Sequence, residues 1–69
     1  MKFNYSKLLG RIKECGYTQA QLADAIGINK STLSQKLNNL FDFSGSEMIA
    51  ISRALHIPVA EIGEYFFAV

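Results

Sequence analysis

Between Thr18 and Leu37 the chain reads TQAQLADAIGINKSTLSQKL, and no other stretch constrains the fold as strongly. It predicts two short helices joined by a tight turn. Thr18 suits the cap of the first, with Gln21 three residues on to complete a capping box. Tyr17 and Leu22 stand at the two positions of a hydrophobic staple. Gly27 follows Ile26, where a helix needs a residue that accepts a left-handed backbone in order to stop. Asn29 caps the second helix, and Ile28 and Leu33 repeat the staple. Ala23, midway along the first helix, is small enough for the second to cross closely.

A chain of 69 residues is expected to form a single domain, spanning residues 1–69, at the small end of what folds alone. Hydrophobic residues make up 49%, which argues for a compact core and against disorder. No apolar run approaches the roughly 18 residues of a membrane span, and Met1–Asn4 carries no secretory signal, so neither membrane nor export is expected. A reducing cytoplasm is the expected location. The single cysteine, Cys15, has no internal disulfide partner and is expected to serve as a small buried hydrophobe. Cys15 and His56 are too few to hold a metal by protein ligands alone.

The remaining segments complete an all-α chain of five helices. Helix one is expected after Asn4 as cap, with Phe3 and Leu8 as staple, ending near Gly16. Its apolar positions Tyr5, Leu8, Leu9, Ile12 and Cys15 recur at helical spacing. Helices two and three are Gln19–Ile26 and Lys30–Asn38, followed by a loop over Asn39–Phe43. Helix four opens with Phe43, the Ser44 cap, Glu47 and Met48 in capping-box and staple register, and buries Met48, Ile51 and Leu55 with Ile49 flanking. Helix five is expected to begin around Pro58, stapled by Ile57 and Ile62. No segment sustains the period-two alternation of a half-buried strand.

Charge is unevenly placed. Residues 1–40 hold six cations against Glu14 and Asp24, a net +4, and residues 41–69 hold Arg53 against four acids, a net −3. A polyanion would meet the first half, which contains the two-helix run. On helix three, Leu33 and Leu37 define the buried side, so Ser31, Gln35 and Asn38 face outward. That outer face is polar and uncharged, where a plain solvated helix more often carries Glu–Lys pairs. Such a face suits a DNA groove, and the two-helix layout is that of a DNA-binding helix-turn-helix. Gln35 has the carboxamide for a bidentate bond to adenine. Lys30 and Ser31 would enter the major groove first, Lys30 toward guanine or toward phosphate. Gln19 is placed to grip phosphate with the free N–H groups of its helix, and Thr32, Lys36, Asn38 and Asn39 are flanking phosphate candidates. With the cap Asn29 between the helices, the expected DNA-contact set is Gln19, Asn29, Lys30, Ser31, Thr32, Gln35, Lys36, Asn38 and Asn39.

The pattern Gln19, Ala23, Gly27, Asn29, Leu33 resembles the lambda-repressor-like (Cro/CI-type, XRE) DNA-binding domains over nearly the whole chain. The segments MKFNYSKLLGRI, LSQKLNN and IPVAEIGEYFF are more similar still to short Cro-like regulators of Gram-positive phages and prophages. The resemblance implies a transcriptional repressor that binds double-stranded operator DNA as a dimer. It also implies base reading by Gln19, Lys30, Ser31 and Gln35, and a phosphate contact by Thr32. The chain departs from the family's pattern at Lys36, where many relatives carry Leu or Tyr followed by Glu; here the apolar residue is Leu37. Some relatives pair that Glu with an Arg on helix one. Ile12 stands there instead, and an Ile12–Leu37 contact is the expected substitute.

The tail is strongly apolar. With Ile62 and Phe66 turned inward, Tyr65, Phe67 and Val69 are left as a dimer interface for a symmetric homodimer. The other arrangement folds the tail back over Phe3 and Tyr5 and closes the monomer's own core. Neither an enzyme nor a cofactor site is expected: His56 has no nucleophile at a recognisable spacing, and Gly10, Gly45 and Gly63 form no phosphate-binding loop. No small-molecule ligand is expected either. The competing function is a protein-binding helical module, antirepressor or antitoxin-like, that keeps the fold without binding operator DNA.

Overall fold

A computed structural model describes residues 2–69. It is all-α, with no strand among the described residues. The helices are α1 (Ser6–Glu14), α2 (Gln19–Ile26), α3 (Lys30–Leu37), α4 (Gly45–Ala54) and α5 (Ile62–Phe66), with a 3-10 turn at Val59–Glu61 before the last. No helix among the described residues is long and apolar enough to cross a membrane.

Leu8, Leu22, Leu33, Ile51, Leu55 and Phe66, from all five helices or their caps, are almost wholly buried in one cluster. Ile12 and Leu37 both enter it. Leu9 does not; it is exposed on the outer side of α1. Met48 is half-buried and Ile49 exposed.

Helix boundaries follow local chemistry. The capping boxes of α2 and α4 form in full: Thr18 with Gln21, and Ser44 with Glu47. At α1 the cap position is Tyr5, one residue later than expected; Asn4 Oδ1 nonetheless accepts from Ser6 N–H at 2.9 Å. α3 stops at Leu37, with Asn38 as its C-cap. Pro58 does not open a long helix five. Its extended ψ of 145° leads into the 3-10 turn, and only five residues of α-helix follow.

The first four helices end alike, with a left-handed residue and two reversed backbone bonds. Gly16 and Gly27 have φ of 81° and 82°, and Asn39 and His56 have φ of 63° and 56°. Each of these four residues donates to the carbonyl three back, and the next residue donates to the carbonyl five back, the Schellman pattern.

The C-terminal tail folds over the N-terminal segment. Asn4 N–H donates to the Ala68 carbonyl at 2.7 Å, and the Phe3 and Phe67 rings meet edge-on at 5.6 Å. The expectation that Tyr65 lies exposed at an interface is corrected: it is 8% exposed, and the Lys7 ammonium sits 4.7 Å above its ring. Burying the ring within the chain's own core removes apolar area from water more cheaply than leaving it for a second molecule. Phe67 and Val69 are 50% and 88% exposed.

Candidate functional site on the third helix

The α2–turn–α3 unit is built as its sequence demands. Gln21 N–H donates to Thr18 Oγ1 at 3.1 Å while Thr18 N–H donates to Gln21 Oε1 at 2.9 Å, which fixes the start of α2. Gly27 stops α2, and Ile28 N–H returns to the Ala23 carbonyl at 3.0 Å. Asn29 Oδ1 then accepts from Thr32 N–H at 2.7 Å. With Leu33 and Leu37 buried, the opposite face of α3 is outward.

Lys30, Ser31, Ser34 and Gln35 line one shallow hollow of about 340 Å³ on that face. Three of the four were expected there. Ser34 was not, although its spacing of three from Ser31 and four from Asn38 places it on the edge of the same row. Asn38, exposed at the end of α3, lies beside it, with its Nδ2 3.4 Å from Ser34 Oγ. Gln19 and Thr32 are half-buried at the margin.

Three members of the expected set are engaged elsewhere. The oxygen of the Asn29 amide is held by the cap. Lys36 is turned to α4, where its ammonium donates to both Glu47 oxygens at 2.5 and 2.6 Å, with the two side chains 15% and 17% exposed. The sequence offered no sign of this, because the partner lies eleven residues on in the next helix. Asn39 is drawn off by the N-terminal segment: Phe3 N–H donates to its Oδ1 at 2.8 Å, and its Nδ2 donates to the Phe3 carbonyl at 2.9 Å.

The electrostatics change accordingly. Burial pushes the Glu47 carboxyl up, but the bonds from Lys36 and from Ser44 outweigh it and hold the group below its ordinary value. Lys7 and Arg11 pair with Glu64 and Glu14, and Arg11 also donates to the Leu55 and His56 carbonyls at the end of α4. On the outer face of α3, Lys30 is the one cation with no ion pair among the described residues. Past the other end of α3, the turn-rich loop holds two apolar groups, Leu40 and Phe41, 66% and 59% exposed.

A larger open hollow is lined by Cys15, Tyr17, Gln21 and His56 among others. Cys15 is half-buried rather than buried, its thiol 3.6 Å from the Leu55 carbonyl. No group of three or more His, Cys, Asp or Glu suited to a metal occurs among the described residues.

No curated protein matches the chain. Among solved structures, the solution structure of the modulator of repression (MOR) of the temperate bacteriophage TP901-1 from Lactococcus lactis superimposes with a TM-score of 0.82 at 36% identity. The match covers 97% of this chain and 90% of that one. The family model described as "Protein of unknown function (DUF739)" spans residues 1–69, and the chain is a member of that family.

Proposed function

We propose that this chain regulates repression in a temperate phage or prophage, and that it acts through the outer face of α3 on a protein of the repression machinery. The similarity to a phage modulator of repression supports the regulatory role. The choice of a protein partner rests on one observation: Lys36 is held by Glu47, which leaves Lys30 as the free cation of a face otherwise built from Ser31, Ser34 and Gln35. DNA affinity draws largely on phosphate neutralisation, with about 6–10 such contacts in a strongly salt-dependent binder. A neutral polar row whose Gln35 is joined by a backbone bond to exposed Leu40, with exposed Phe41 next in the chain, is closer in character to a protein interface, whose core is depleted of charge and enriched in aromatics.

A second reading keeps operator DNA as the partner, in the manner of the lambda-repressor-like domains. The α2–turn–α3 geometry favours it, with Gln35 and Ser31 exposed and Lys30 at the leading end of α3. An operator-binding protein of this size would act as a dimer, with recognition helices about 34–36 Å apart.

Selection of duplex DNA from a random-sequence pool at two salt concentrations separates the readings. The expected result is no enriched motif, with weak binding that vanishes at the higher salt. Recovery of a two-fold-symmetric motif would establish the operator reading and give the half-site spacing. A reporter held repressed by the TP901-1 system supplies the positive arm: co-expression of this chain is expected to change its output, and Gln35→Ala to diminish that change.

A further inference from the structure

Away from the α3 face, the N-terminal segment, the α3–α4 loop and the tail enclose a cleft of about 200 Å³. Its walls are the rings of Phe3, Tyr5, Phe43, Phe66 and Phe67, with the Met48 thioether beside them. Tyr5, Phe43 and Phe66 stack edge to face at centroid distances of 5.5 and 5.4 Å, an arrangement that holds their rings against one another. One charged group lines the cleft, Asp42, which makes no ion pair among the described residues. Burial raises the Tyr5 phenol above its ordinary value, and the Asp42 charge raises it further, so the field of the carboxylate reaches inside.

We propose that this cleft is a docking pocket for an arginine side chain presented by a partner protein. Asp42 is exposed at the edge of the cleft, so an apolar side chain entering here leaves the carboxylate without a partner, whereas a cation meets the carboxylate and the ring faces together. Arginine fits better than lysine because its guanidinium is planar, weakly hydrated and stacks on aromatic faces while donating to a carboxylate. The source is a protein because Leu40 and Phe41, immediately before Asp42 in the chain, are both largely exposed, apolar groups that residues flanking the arginine can cover. The cleft uses none of Lys30, Ser31, Ser34 or Gln35, so the two sites are tested separately, although Leu40 and Phe41 enter the argument for both.

The test is an NMR titration of the full chain with N-acetyl-arginine amide and with N-acetyl-citrulline amide, which has the same shape without the charge. The arginine compound is expected to shift the Phe3, Phe43, Phe66 and Phe67 ring resonances saturably, leaving the Lys30 and Gln35 amides in place. The citrulline compound is expected to bind about tenfold more weakly, the scale of a desolvated cation–aromatic contact. Asp42→Asn, whose spectrum should report an unchanged fold, is expected to bring arginine down to the citrulline level. A peptide with the arginine between two leucines is expected to bind more tightly than the single residue; equal affinity overturns the protein origin of the side chain. Equal binding of citrulline, an Asp42→Asn variant that binds arginine as before, or shifts absent up to the solubility limit each overturns the pocket.

Discussion

The two ends of α3 are joined to their neighbours by the same hydrogen-bond pattern, yet they leave opposite surfaces. At the α2–α3 turn, Gly27 takes the left-handed position, and the reversed bond links Ile28 to Ala23, half-buried and buried residues of the core. At the α3–α4 turn, Asn39 takes that position, and the bond links Leu40 to Gln35, both exposed. The corresponding pairs after α1 and α4 are Tyr17 with Ile12 and Ser52 with Ile57, all packed on or within the core. A Schellman stop ordinarily tucks an apolar residue against the helix it closes. Only the stop after α3 places that residue beside a polar, outward row, so the local rule yields at the surface to which a partner is assigned. The second difference is steric. Gly27 enters the left-handed region freely, while Asn39 accepts strain there and holds it by two bonds to Phe3.

Asn39→Ala should have the largest effect, about 2–3 kcal/mol of lost stability, because it removes two half-buried hydrogen bonds and keeps a Cβ at positive φ. Asn39→Gly should lose clearly less, since it relieves the backbone; urea unfolding of the pair separates strain from bonding. Gly27→Ala is expected to cost about 1–2 kcal/mol from backbone strain alone, because a Cβ there meets nothing within 4 Å. Ile28→Ser should cost about as much through lost burial, whereas Leu40→Ser should stay within about 0.5 kcal/mol while weakening any effect on the reporter. Equal destabilisation by the two serine variants would erase the contrast between the turns. A smaller effect concerns pH. The folded Glu47 carboxyl lies below its ordinary 4.5, so its pairing adds stability above that value and loses it as pH falls through the lower folded value. Glu47→Gln should therefore flatten the acid limb of a stability profile, and an unchanged limb would dissociate Lys36 from Glu47 in solution.

What could be read in advance was local. Caps, staples and stops act within five residues, and α2 was legible to both ends because Thr18, Gln21 and Gly27 each act on their own neighbourhood. The row Ser31–Gln35 followed from the helical period once Leu33 and Leu37 were assigned inward. Long-range partners were not legible. Lys36 and Asn39 carry side chains suited to phosphate, and nothing near them in the chain reveals Glu47 or Phe3 as their destination. Tyr65 failed for a related reason: the tail was apolar enough for either an intermolecular or an intramolecular seat, and a helix of five residues fixes no face by period alone. Leu40 and Phe41 stand among asparagines and an aspartate that signal a turn, and turn chemistry does not say which apolar residues the turn leaves exposed.

The bond from Asn4 to Ala68 joins two segments 64 residues apart, and Phe3 and Phe67 on either side of it are two walls of the aromatic cleft. That amide therefore exchanges with solvent only when the tail lifts, and the same movement removes a wall of the cleft. Native-state exchange at a single backbone proton thus measures the free energy of opening the cleft. An occupant that needs the closed walls should slow this exchange in proportion to its saturation of the site.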